Sequence, residues 1–150
     1  MKEKTIDYVL RATWMAVAKM YNEKAKEKES TMATGFALIS IDPEEGTPST
    51  SLGPKMGMEA TSLSRTLKGM EDRGLIIRKK NPEDGRSVLV QLTDFGLEMR
   101  EFSKEVVLRF DEAVKESVSE EELKTFIKVA NNIMKLIAEK KVYKEVDVGR

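Results

Sequence analysis

Apolar residues recur every three or four positions over much of this chain, and those steps mark out its helices. Over residues 4–28 they fall at Ile6, Leu10, Trp14, Val17, Met20 and Tyr21, one stripe of a long amphipathic helix. The lysine- and glutamate-rich stretch 23–29 reads as its solvated end. Ser30 and Thr31 then offer a capping oxygen to a shorter helix carrying Phe36, Leu38, Ile39 and Ile41. Asp42-Pro43-Glu44-Glu45-Gly46 breaks the pattern. Thr47 before Pro48 reads as an N-cap followed by proline at the first helical position, where the missing N–H costs nothing, and predicts a short helix to Met56. Pro54 lies inside that helix and is expected to kink or shorten it.

Beyond Gly57, Met58, Leu63, Leu67 and Met70 form the buried stripe of the next helix, while Thr61, Ser62, Ser64, Arg65 and Lys68 hold its other face. Arg73-Gly74 supplies a basic last turn and a glycine stop. The period then changes. Leu75-Ile76-Ile77-Arg78 and Ser87-Val88-Leu89-Val90-Gln91-Leu92 are strand-like runs, and the turn formers of 79–86 between them predict a two-stranded hairpin. Thr93 caps a fifth helix with Met99, Phe102, Val106, Phe110, Ala113 and Val114 on one face. Ser119 and Glu122 form a capping box that opens a sixth, striped with Leu123, Phe126, Ile127, Ala130, Ile133, Met134 and Ile137. The charged tail 139–150 is expected to fray. The fold class expected is mainly α with a small β-hairpin (α+β). With no repeat or low-complexity linker, a single domain over 1–150 is the economical reading.

Composition narrows the chemistry. The 150 residues include no cysteine and no histidine, which excludes a thiolate nucleophile, a disulfide, an imidazole base, a zinc finger and haem ligation. Carboxylate-only magnesium or calcium sites remain formally open, but no metal site and no cofactor is expected. No Ser/Lys or Asp/Glu constellation rises above ordinary helix surface, so the chain does not read as an enzyme. No apolar run approaches the roughly 20 residues that span a bilayer. The N-terminus shows no secretory signal, so a cytoplasmic location is expected.

Lysine and arginine together number 26, as do aspartate and glutamate. The balance is uneven along the chain. Within 61–80 stand Arg65, Lys68, Arg73, Arg78, Lys79 and Lys80 against only Glu71 and Asp72, whereas 94–122 is strongly acidic. A basic patch in a neutral chain suits a protein that touches nucleic acid with one face.

Short helix, turn, helix with hydroxyls and cations, then a hairpin with a charged tip is the order of a winged helix-turn-helix. A helix of about 10–12 Å fits the roughly 12 Å major groove, and a tip arginine is favoured in a narrow minor groove, which concentrates negative potential. Three linked motifs add to this: Gly74-Leu75-Ile76-Ile77-Arg78, Asp84-Gly85-Arg86, and Leu92-Thr93-Asp94-Phe95-Gly96. In order and spacing, within 52–96, they resemble the signatures of the MarR family of bacterial transcription regulators. The run from Glu59 through Leu67 also looks like that family's recognition helix.

The resemblance implies a winged module at about 31–92 between dimerisation helices at 4–28 and 93–141. It implies a homodimeric repressor on a palindromic site in double-stranded DNA, released by a small aromatic or anionic effector. Thr61, Ser62, Ser64, Arg65 and Lys68 would face the major groove and Arg86 the minor groove. Asp84 would orient Arg86 or pair with Arg78 across the hairpin. Trp14, Tyr21, Phe36 and Phe102 would line the effector cavity. Pro54 and Gly69 depart from the family pattern. Together with the zero net charge, they keep open a winged-helix protein that serves interaction or architecture without ligand-responsive DNA binding.

Overall fold

The computed structural model describes residues 3–144. Its elements run α1 (Ile6–Lys26), α2 (Met32–Ser40), β1 (Thr47–Pro48), α3 (Ser49–Met56), α4 (Ala60–Asp72), β2 (Ile76–Lys80), β3 (Val88–Leu92), α5 (Asp94–Ser117) and α6 (Glu120–Ala138). Two compact units divide the chain, Met1–Val107 and Leu108–Arg150. Part of the tail expected to fray, 145–150, lies outside the described residues.

Local signals set most helix ends. The Thr5 hydroxyl accepts the Tyr8 N–H at the start of α1, and Thr31 does the same for Thr34 at the start of α2. At Ser119 both halves of the capping box form: its hydroxyl accepts the Glu122 N–H, and the Glu122 carboxylate accepts the Ser119 N–H. Gly74 closes α4 at φ 76, a left-handed conformation that residues with a Cβ rarely adopt. The Gly74 and Leu75 N–H groups then reach back to the Glu71 and Met70 carbonyls, satisfying acceptors at the helix end.

Residues 47 and 48 depart from the sequence reading. Thr47 does not cap α3. It pairs with Val90 as part of a short strand, and the sheet order is β1-β3-β2, all antiparallel. Thr47 is buried, and its hydroxyl accepts the Asp42 N–H at 2.9 Å, so the side chain that looked like a cap closes the 42–46 turn instead. Pro48 tolerates an edge strand because it has no N–H to waste. α3 starts with no side-chain cap and ends two residues beyond Pro54. The hairpin is also longer on one side than expected, since Lys79 and Lys80 belong to β2, opposite Leu89 and Val88.

The core of the first unit is built from Leu38 and Ile41, Leu52, Met70, Leu75 with Ile76, and Val90, each essentially inaccessible. α2, α3, α4 and the sheet therefore share one apolar centre. The stripes of α1 and α6 behave differently. Within α1 only Tyr21 is buried, while Ile6, Leu10 and Trp14 stand about half exposed or more. On α6 no residue is buried, and Phe126, Ile127, Met134 and Ile137 are exposed.

Candidate nucleic-acid interface

The 3.6-residue period of α4 sorts its side chains. Leu63, Leu67 and Met70 face the core, while Thr61, Ser62, Ser64, Arg65 and Lys68 are exposed. Thr61, Ser64, Arg65 and Lys68 line one shallow open groove together with Ala60, Gly69 and Asp72. Lys68 approaches Asp72 at 3.7 Å, an exposed i,i+4 contact that holds it weakly. No carboxylate among the described residues pairs with Arg65. Hydroxyl donors and acceptors and two cations thus share one exposed helix face.

The wing is tied at its tip by polar contacts. Asn81 Nδ2 donates to Ser87 Oγ at 2.9 Å, and the Asn81 and Ser87 backbones also bond. Asp84 Oδ1 accepts the Arg86 N–H at 3.0 Å, an Asx turn that sets the backbone from which the exposed Arg86 side chain projects. Asp84 does not pair with Arg78. Arg78 Nε and Nη2 instead donate to Glu71 Oε2 and Oε1, both at 3.1 Å, linking β2 to the last turn of α4. The physical reason is position: Arg78 lies mid-strand opposite Val90, within reach of Glu71 on α4, while Asp84 is in the loop beyond the ends of both strands. The Arg78 guanidinium holds the Glu71 carboxyl below the ordinary carboxylate range, and Glu71 in turn raises Arg78. Sequence reasoning missed Glu71, whose only signal is a carboxylate seven residues before Arg78 across a helix stop.

Away from this face, Tyr21, Phe36 and Phe102 line one crevice. The Tyr21 and Phe36 rings meet edge to face at 5.8 Å, and the Lys28 ammonium lies 5.5 Å from the Phe102 ring centroid. Trp14 is not part of its wall. It stands farther up α1, half exposed. Among the described residues no group of three or more carboxylates is placed to hold a metal ion, and no helix is long and apolar enough to cross a membrane.

A helix-turn-helix whose second helix exposes a polar, basic face, followed by a braced hairpin, defines the class: a winged-helix transcriptional regulator. A model of the MarR family matches residues 31–88. The chain is 30% identical over 99 residues to the organic hydroperoxide resistance transcriptional regulator of Bacillus subtilis (strain 168), covering 66% of this chain and 67% of that protein. It is 38% identical over 78 residues to the uncharacterized HTH-type transcriptional regulator YdgJ of the same organism, across 52% of this chain. That match spans about half of the relative's length, 48%. In fold it is similar to MepR of S. aureus, solved as a DNA complex, with a TM-score of 0.78 at 19% identity over 91% of this chain and 99% of that one. The chain belongs to the MarR family of DNA-binding transcriptional regulators.

Proposed function

We propose that this chain is a homodimeric repressor that reads a palindromic operator and is released by a small-molecule effector. The observation that carries the DNA reading is the single exposed face of α4, where Thr61, Ser64, Arg65 and Lys68 stand together. In this reading they and Ser62 meet base edges and phosphates in the major groove, and Arg86 enters the adjacent minor groove from the wing. Arg78 and Asp84 act indirectly, the first by holding the wing base on α4 and the second by shaping the tip.

The dimer is supported by apolar surface that one chain leaves uncovered. Ile6, Leu10 and Trp14 on α1 and Phe126, Met134 and Ile137 on α6 are too many exposed large side chains for a stable monomer surface, and a second copy would remove them from water. Two reading heads would then meet two half-sites about one helical turn, roughly 34–36 Å, apart. The crevice holding Tyr21, Phe36 and Phe102 supports the effector site.

Fluorescence anisotropy with promoter DNA of the chain's own operon tests the DNA reading. Arg86→Ala should weaken binding by about 1–3 kcal/mol, and Lys68→Ala should reduce the salt slope by about 1. Unchanged binding in both variants would remove these residues from the interface. A well-folded dimer that ignores DNA even at low salt would instead indicate a protein-interaction role.

A further inference from the structure

The crevice beside Tyr21 differs from the rest of this highly charged surface: none of the thirteen residues that line it carries a charge. Its walls are mostly apolar side chains such as Phe36, Met99 and Phe102, and Tyr21, Ser30, Thr31 and Ser103 are the lining residues that bear a hydroxyl. Lys28 does not line it, although its ammonium sits against the Phe102 ring. An anion entering this space would shed water and meet no opposite charge among the lining side chains, an expensive transfer. An uncharged aromatic molecule loses little hydration and gains ring contacts. Resting on the reading of this crevice as the effector site, we propose that its ligand is an uncharged, mainly apolar aromatic molecule with a single hydrogen-bonding group, and not a carboxylate or phosphate.

The crevice volume says how such a ligand enters. The cavity measures about 30 Å³, whereas an apolar cavity that admits benzene is about 150 Å³. A ring therefore needs the walls to part. Met32 and Met99, flexible thioethers on α2 and α5, are the side chains able to swing aside. α2 and α5 run close at Gly35, where a Cβ would stand 3.3 Å from Ser103 Oγ, so a ring wedged there separates these two helices. Ser30 and Thr31 line this crevice and also a second groove walled by Arg65 and Thr66 of α4. Their displacement is felt beside the face proposed to read DNA.

Isothermal titration of the full chain at pH 7 with 2-naphthol and 2-naphthoate, which share a ring system and differ in charge, tests the proposal. The naphthol should bind at least tenfold more tightly. Ser103→Leu, which fills the crevice, should abolish that binding, and Lys28→Met should leave it within about twofold. Three results overturn the proposal: no naphthol binding, naphthoate binding as tight as naphthol, or naphthol binding that survives Ser103→Leu in a variant with the parent's circular dichroism and melting. If Ser103→Leu does not fold, Ala25→Phe fills the same crevice from α1 and is read in the same way. Repeating the DNA titration with naphthol bound separates the two readings. Binding without loss of DNA affinity leaves the ligand class standing and overturns the effector role.

Discussion

Arg78 of β2 grips the Glu71 carboxylate of α4 through two parallel hydrogen bonds at 3.1 Å. A planar guanidinium facing a carboxylate fixes orientation as well as distance. The pair thereby sets the angle between the helix proposed to enter the major groove and the wing proposed to reach the minor one. Glu71→Gln should leave α4 and the hairpin folded but weaken operator binding more than binding to random duplex, because specific binding needs both elements in register. Anisotropy on the two duplexes gives the comparison, and equal losses would argue against this positioning role.

The same pair should make stability depend on pH. Arg78 lowers the Glu71 pKa in the folded state. A depressed carboxylate stabilises the fold fully above its unfolded pKa, and that contribution disappears as pH falls through the folded value. The parent should therefore melt above Glu71→Gln at neutral pH, and the gap should close on acidification below the ordinary carboxylate range. A gap independent of pH would show that charge is not its source.

Two glycines should respond oppositely to alanine. A Cβ on Gly96 would run into the Leu75 carbonyl oxygen, backbone that is itself held by the Thr93 N–H. Gly96→Ala must push α5 off the start of the hairpin and should destabilise the chain by more than the roughly 1–3 kcal/mol of ordinary overpacking. A Cβ on Gly69 meets nothing within 4 Å. Gly69→Ala should stabilise the chain by up to about 1 kcal/mol through helix propensity alone. Urea unfolding of both variants reads the two signs.

The Thr93 hydroxyl has two roles: it donates to the Gly74 carbonyl and accepts the Gly96 N–H at 3.0 Å. It thereby joins the end of α4 to the start of α5. Thr93→Val keeps the shape and removes both bonds, and should cost about 1–2 kcal/mol in urea unfolding. Ser119→Ala should cost α6 about 1 kcal/mol. Helix-resolved hydrogen exchange should confine that loss to α6.

Features readable along the chain are those made by neighbours in sequence. Thr31 capping Thr34, Ser119 boxed with Glu122, Gly74 stopping α4, and the split of α4 into Leu63, Leu67 and Met70 against Thr61, Ser64, Arg65 and Lys68 all act within a few residues. Helix geometry brings such groups within reach of one another by itself. The exposed face of α4 and the wing tip were legible for that reason. The partner of Arg78 was not, because choosing Glu71 over Asp84 depends on how β2 lies against α4. Thr47 looked like a cap because its local sequence suits one, but pairing with Val90 and burial outweighed that preference. Gly96 stands in the sequence only as the end of the Leu92-Thr93-Asp94-Phe95-Gly96 motif, and only the approach of Leu75 shows why a side chain is refused there. Periodicity likewise announced the apolar stripes of α1 and α6 but did not say what they meet, since a stripe records that a face avoids water. Within one chain, folding buries Tyr21 and leaves Ile6, Trp14, Phe126 and Ile137 exposed. That division depends on which surfaces the packed elements can cover.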